Sequence, residues 1–302
     1  MTLNRGAFAP ILLALSTALH AAGAPEWRRD GDRVHLSRDG REVLTYNLRP
    51  PAGSGLPVEA GSYFHPLRTP SGVVVTDFVP SDHRHHRGLF LAWVETHGAK
   101  DADFWGWGAL APIQNRQIVH RDLDTRRDGF RARNEWVADG QVILEETLTA
   151  TARKVGGMNV LDLDYQFVPR ADTTLSRVAF SGFCLRVRKD GDLRILDASG
   201  PVTRANPVYN KPESDWPDAR WYAAEQTLLD GSHIGAALFN HPSNPATLWH
   251  NHRDVRMINP CIVAPGPVTL KKGKTLRLRY RVATFDGSAP VKALNQLAGD
   301  WR

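Results

Sequence analysis

The sequence predicts an all-β protein, a large antiparallel β-sandwich closed by one short C-terminal helix. Three observations carry this. Apolar and polar residues alternate with a period of two along most of the chain. Turn signals recur every ten or so residues, the spacing of sandwich strands. Helical periodicity is confined to the last dozen residues.

Taken in order, residues 34–48 read as two short strands about an Asp39-Gly40 turn, a dipeptide suited to the positive φ of tight hairpins. Residues 73–78 and 89–95 are apolar, β-branched or aromatic runs of strand length. Residues 130–152 form a second hairpin about Asp139-Gly140, in which Glu145 and Glu146 fall mid-strand, so one must face solvent. Residues 160–168 alternate apolar positions with Asp162, Asp164 and Gln166. Residues 183–197 read as a third hairpin, about Asp190-Gly191. Residues 275–285 carry Arg277, Arg279 and Arg281 on one face. At the end, Ser288 is a candidate N-cap and Pro290 suits a first helical turn. The helix is expected to cover a sheet edge or face. The Pro-rich stretches 50–57 and 201–218 read as long loops, which on a rigid sandwich often carry function.

The first residues read as an address rather than as fold. Arg5 supplies a positive n-region, residues 7–19 an apolar h-region, and Ala22-Gly23-Ala24 a small-residue cleavage site. Residues 1–24 are therefore expected to be a signal peptide, with residues 25–302 a single β-sandwich domain in the periplasm or secreted. The apolar run is too short for a comfortable membrane span, which needs about 20 residues, and none is expected after cleavage. Lys and Arg number 38 against 32 Asp and Glu, a net charge of +6. These cations are scattered, with no basic tract or aromatic-interleaved motif, so no nucleic-acid partner is expected. An oxidising compartment permits a disulfide between Cys184 and Cys261; two buried small hydrophobes are the equal alternative.

The histidines are concentrated. His83, His85, His86 and His97 form one group and His241, His250 and His252 another, with His65 in an aromatic loop. Imidazole exchanges protons near neutral pH and ligates metals. His83 and His85 share one side of an extended chain and, with a third ligand from His65, Asp82 or His241, would suit a divalent metal. No helical His-Glu-x-x-His and no finger-spaced Cys pair accompanies them. Trp93, Phe104, Trp105 and Trp107 follow the first group, and Asn244 and Trp249 accompany the second. Aromatic faces stack on sugar rings while Asp, Asn, His and Arg bond hydroxyls. Among the nine Trp, Trp136, Trp216 and Trp221 have no polar company and read as core. No paired-carboxylate motif of a glycosidase is visible, and no Gly-x-Ser-x-Gly elbow.

The run from Pro80 to Trp93, with Asp82-His83-Arg84-His85-His86-Arg87-Gly88 at its centre, then Asp103-Phe104-Trp105, resembles the signature of a bacterial domain-of-unknown-function family. Its members often carry the label "methane oxygenase PmoA". The likeness continues through Arg133–Trp136, Gly182-Phe183 with Arg186, His241–Asn244, Trp249-His250 and Asn259-Pro260, over almost the whole mature chain. It implies a sandwich of the galactose-mutarotase supersandwich kind and a carbohydrate context. The oxygenase label conflicts with the sequence, since a membrane monooxygenase subunit needs several spanning helices. The chain departs from the family pattern at Phe180-Ser181, where many relatives carry an acidic residue, and at His252-Arg253-Asp254, where relatives often carry Tyr-Gly.

The expected function is a carbohydrate-active protein doing His/carboxylate acid–base chemistry on a glycoside or keto-sugar. His83 or His86 would be the acid/base, Asp82 or Asp103 would orient it, and His65 would join them. Arg87 would bind an anionic or carbonyl oxygen. Trp105 and Trp249 would stack on the ligand, a small molecule or oligosaccharide, with His241, Asn244 and His250 completing the site. Three alternatives stay open: a non-catalytic carbohydrate-binding protein, a metal-dependent hydrolase using His83, His85 and His65, and a structural run in which Arg87 and the histidines bond buried loop carbonyls. The substrate and any cofactor are left unnamed by the sequence.

Overall fold

The computed structural model describes residues 25–301. The leader expected over residues 1–24 lies outside the described residues. None of the described helices is long and apolar enough to cross a membrane.

Two large sheets face each other. The first has seven strands and runs, from edge to edge, Glu26–Asp30, Arg33–Arg38, Arg41–Asn47, Tyr63–Leu67, Leu89–Ala92, Gly182–Arg186 and Met257–Ile258. The second has ten and is built around the long strands Gly129–Ala138, Gln141–Val155, Met158–Pro169 and Leu276–Asp286. Pairing within them is antiparallel except where Glu59–Ala60 runs parallel to Arg116–Thr125. The expected all-β antiparallel sandwich with a short C-terminal helix is thus what the chain forms.

Aromatic side chains from the two inner faces meet in the middle. Phe183 stacks on Tyr280 with ring centroids 4.2 Å apart, and Tyr46 lies 4.6 Å from Phe130. Trp93, Trp136, Trp216 and Trp221 are all buried. Cys184 and Cys261 are buried free thiols, so the second of the two readings of the cysteines holds. Of the two mid-strand glutamates, Glu145 faces out to Arg170 and Glu146 points in. There Glu146 accepts from Ser62 Oγ at 2.7 Å, Asn134 Nδ2 at 2.9 Å and Trp136 Nε1 at 2.8 Å. That satisfies a group whose unpaired burial would cost several kcal/mol, of the order of 2–7 for a polar group and more for a charge.

The Asp-Gly turns divide. Asp39-Gly40 and Asp139-Gly140 take positive φ and close the two expected hairpins, Arg33–Arg38 to Arg41–Asn47 and Gly129–Ala138 to Gln141–Val155. Asp190-Gly191 does not close a hairpin, which corrects the third expectation. Gly182–Arg186 pairs in the seven-stranded sheet, whereas Asp192–Asp197 pairs with Trp221–Thr227 in the other. Residues 187–191 carry the chain between sheets. Gln226 Nε2 pins the crossing by donating to the carbonyls of Arg188 and Asp190. Residues 73–78 also differ from expectation, making only isolated bridges, at Val74, Thr76 and Phe78.

The helix is Val291–Gly299, capped at Pro290 rather than at Ser288. A Ser288 cap would need the N–H of residue 290 or 291; Pro290 has none, and the Val291 N–H donates to the Ala289 carbonyl at 2.9 Å. Leu294, Leu297 and Ala298 pack on Trp221 and Phe239, covering the outer face of the ten-stranded sheet with a second apolar cluster.

Candidate functional site

Three strands of the seven-stranded sheet, Leu89–Ala92, Gly182–Arg186 and Met257–Ile258, bring residues 86–88, 186 and 257 to the same end. A cavity of about 340 Å³ opens there. Five imidazoles line it: His83, His85 and His86 from the first group, His250 and His252 from the second. Trp107, Phe180 and Tyr209 form an aromatic side, and Val255 and Met257 complete it.

The first group is shaped by a tight turn, in which the His83 N–H donates to Pro80 O and the His86 N–H to His83 O. A strand would send adjacent histidines to opposite faces; the turn instead bunches three rings. His83 stacks on His86 at 5.1 Å, and His85 meets His86 edge-on at 4.6 Å. Behind them stands Arg186, fully buried. Its Nη2 donates to both oxygens of Asp82 at 3.0 Å, and its Nη1 donates to His86 Nδ1 at 3.0 Å. Lys189 Nζ, from the crossing between sheets, reaches Asp82 Oδ1 at 2.6 Å. Burial alone would raise the Asp82 carboxyl. Hydrogen bonds from Lys189 and Arg186, with the Arg186 charge and His83, reverse that and hold it well below the carboxylate range.

Arg186 has only donors to offer, so His86 Nδ1 is an acceptor and His86 is neutral with its proton on Nε2. Burial, then the charges of its neighbours, pushes its pKa well below the ordinary value. His85 is pushed down to about 3 by burial and by His83, Arg87 and Arg186.

The second group is set differently. His250 Nδ1 lies 2.6 Å from Asp215 Oδ1, and both side chains are buried. Asp215 comes from the end of the long loop 201–218, which also supplies Tyr209. An ionised carboxylate orients such a ring with the proton on Nδ1 and leaves the Nε2 lone pair toward the cavity. His252 Nδ1 accepts from the Val255 N–H at 3.3 Å, leaving Nε2–H as its donor.

Of the residues expected at the site, His83, His86 and His250 line the cavity, and Asp82 lies behind it, bonded to the same Arg186 that faces His86. The rest are elsewhere. His65 Nδ1 is bonded to Thr76 Oγ1 at 2.9 Å, and its ring stacks on Phe78. A metal held by His83, His85 and His65 is therefore not built. Among the described residues, no three His, Cys, Asp or Glu side chains are placed to share an ion. Arg87 is buried under Phe90, its donors directed at the carbonyls of His85, Phe104 and Trp105. It ties the histidine turn to residues 104–105 and does not reach for a ligand oxygen. Trp105 backs His85 and His86 from within the core instead of stacking on a ligand. Trp249 is buried against Tyr222. His241 bonds Ser243 and abuts Trp301, and Asn244 staples its loop to Arg279.

Asp103 is buried and accepts from the N–H groups of Gly106 at 2.7 Å and Gly108 at 2.6 Å. Burial raises its pKa to about 6 against these backbone bonds. It orders the 103–108 loop that presents Trp107, and does not orient a histidine. Asp103→Asn would turn an amide donor on one of those N–H groups. The expected cost is about 1–3 kcal/mol, read as a lower denaturation midpoint; unchanged stability would show that the loop holds itself.

Sequence reasoning missed Asp215, Tyr209 and Phe180, and it noted Trp107 and His252 beside the histidine groups without placing them at the site. The long Pro-rich loop was the signal for the first two. Phe180 packs on Trp105, Trp107 and His250.

A family model described as "Family of unknown function (DUF6807)" matches residues 33–299. No curated protein matches the sequence. Among solved structures, the chain is similar to a GH36 α-galactosidase of Geobacillus stearothermophilus in complex with raffinose, with 11% identity and a TM-score of 0.43 over 87% of this chain and 41% of that one. It is similar to heparan sulfate lyase HepC of Pedobacter heparinus, with 9% identity and a TM-score of 0.42 over 88% and 37%. It is also similar to α-N-acetylgalactosaminidase NagBb of Bifidobacterium bifidum, with 11% identity and a TM-score of 0.41 over 93% and 38%. The chain spans about two fifths of each of these larger chains, and likeness at this level does not transfer an activity.

Proposed function

The chain belongs to the DUF6807 family, whose description names no activity, and from its cavity we propose that it binds and transforms a small carbohydrate by imidazole acid–base chemistry. One observation carries this: His83, His85 and His86 line a single cavity with His250 and His252, far from them in sequence, and the His250 ring is oriented by a buried carboxylate. At about 340 Å³ the space is near the lower end of ligand pockets, roughly 300–1,000 Å³, and suits one or two sugar rings. Trp107 and Tyr209 offer faces for the C–H side of a ring, and the imidazoles offer hydroxyl partners. Among the described residues no carboxylate lines the cavity, so a two-carboxylate glycosidase mechanism has no support here.

Calorimetric titration with a panel of mono- and disaccharides and their keto forms tests the reading. Tyr209→Ala or Trp107→Ala should weaken binding by about two- to tenfold, from a stacking contribution of about 0.5–1.5 kcal/mol. His250→Ala should lower turnover by about 10²–10⁴. Binding without turnover by the wild type would make it a carbohydrate-binding protein, and no binding by any sugar would overturn the proposal.

The proposal extends to the compartment. Arg5, the apolar run 7–19 and Ala22-Gly23-Ala24 support export to the periplasm or beyond. Edman sequencing of protein from a periplasmic extract should begin at Pro25. Protein retained in the cytoplasm with its first residues intact would count against it.

A further inference from the structure

We infer that the substrate presents a carbonyl with an acidic C–H beside it, a keto-sugar, and that the site enolises it with His250 as base and neutral His86 as the hydrogen-bond donor to the carbonyl oxygen. This rests on the carbohydrate reading above and goes beyond it by assigning the chemical form of the ligand and a separate role to each ring.

The argument is one of fixed tautomers. Arg186 can only donate to His86 Nδ1, so His86 offers the cavity an N–H and no lone pair. The Val255 N–H does the same to His252. Asp215 accepts from His250 Nδ1, so His250 offers a lone pair. Three of the five imidazoles thus have a tautomer set by a partner of their own, two as donors and one as a base. A glycosidic oxygen would need a protonated acid to leave, and His85 and His86 are both held neutral in the free site. A carbonyl oxygen needs no proton transferred to it: it needs a preorganised donor where negative charge develops. A neutral imidazole polarising a carbonyl beside a base has precedent as a catalytic pattern.

The step balances within the site. The His250 Nε2 lone pair takes the proton from the carbon beside the carbonyl. The C–H electron pair becomes the C=C bond, and the carbonyl π pair moves onto oxygen. His86 Nε2–H, assisted by His252, bonds that oxygen and keeps its own proton. Return of the proton from His250 to carbon restores the ketone. Where the next carbon, one bond beyond the deprotonated one, bears an alkoxy group, the enolate can instead re-form the carbonyl, make a C=C bond to that carbon and expel the alkoxide, which takes the proton now held on His250 Nε2. Arg186 and Asp215 touch no reacting atom in this scheme and are positioning residues.

Solvent exchange reads the step directly. The purified protein is incubated in deuterium oxide with a methyl keto-glucoside, and loss of the signal from the hydrogen beside the carbonyl is followed by proton NMR, with methyl glucoside as the carbonyl-free comparison. Expected are exchange of the keto-glucoside alone, at least a hundredfold slower exchange in His250→Ala, and partial rescue of that variant by added imidazole. His86→Gln, which keeps a neutral donor, should retain more exchange than His86→Leu at matched melting temperature. Exchange at the wild-type rate in His250→Ala would overturn the inference. So would binding of both sugars with no exchange, or turnover of methyl glucoside itself, though each of these leaves the carbohydrate reading standing. Failure to bind either sugar, or any other in the panel, would remove both.

Discussion

Arg186→Leu should lower the melting temperature by roughly 6–12 °C and abolish activity. In the wild type one buried guanidinium serves two clients, the Asp82 carboxylate and His86 Nδ1. Its removal leaves Asp82 beside an apolar side chain with Lys189 as its remaining cation. Breaking a buried pair by deleting one partner costs about 3–5 kcal/mol, and partial exposure of Asp82 with retention of Lys189 puts the cost near about 3 kcal/mol. For a chain of this size each kcal/mol moves the midpoint by roughly 2–4 °C. The activity loss has a separate origin: His86 Nδ1 is no longer forced to accept, so the ring is free to take either tautomer. The double variant Arg186→Leu/Asp82→Asn separates the two effects. It removes the stranded charge and should regain part of the stability, but not the activity. A single variant melting within about 1 °C of wild type would show that the guanidinium contributes nothing net to the fold. Recovery of activity in the double variant would show that His86 does not depend on it.

Stability should fall as the pH drops from about 7.5 to about 5.5. Burial, reinforced by Arg68, lowers His65 to about 4. Burial lowers His85 to about 3, helped by His83, Arg87 and Arg186. Burial followed by His85 and Arg186 lowers His86 well below its ordinary value. All three are neutral in the native state at pH values where the unfolded chain, with histidines near about 6.5, binds protons. The unfolded state therefore gains from acid what the native state cannot. The stabilisation is complete above about pH 6.5 and is lost below it, by up to about 1.4 kcal/mol per pH unit for each ring. Asp103, raised by burial to about 6, and Glu146, raised by its burial, act in the opposite sense. Each retains a proton that the unfolded chain releases, so Asp103 offsets part of the loss below about pH 6 and Glu146 acts in the same direction. The fall should accordingly set in near about pH 6.5 and steepen toward about pH 5.5 as the unfolded rings fill with protons. Urea midpoints across this range measure it, and His65→Gln should flatten the profile by about one ring's share. A midpoint that held steady or rose on acidification would show that these rings titrate normally.

The sheet elements were legible where local chemistry decides them. Asp39-Gly40 and Asp139-Gly140 take positive φ and sit between alternating strands, so each hairpin is specified by its own contiguous stretch of sequence. Asp190-Gly191 has the same local signature, but its flanking strands take their partners from Leu89–Ala92 and Trp221–Thr227, a choice no local pattern encodes. The site divides in the same way. The histidine run stands out because titratable side chains are concentrated there. The residues that give each ring its tautomer do not: Arg186 lies 100 positions from His86 and Asp215 lies 35 from His250. Closeness in sequence misleads in the other direction at Arg87 and Asp103. Both have the right chemistry and the right neighbourhood, but their hydrogen bonds are spent on backbone groups.

The short stretch from Tyr209 to Asp215 joins recognition to reactivity. It is stiffened by the bonds of Ser214 Oγ to the Val208 N–H and Lys211 carbonyl and of the Asp215 N–H to the Pro212 carbonyl. At one end stands a largely exposed aromatic ring, 58% accessible, and at the other the carboxylate that aligns His250. One short stretch therefore sets both the rim of the cavity and the partner of His250, so a substitution that shifts its backbone changes the two together.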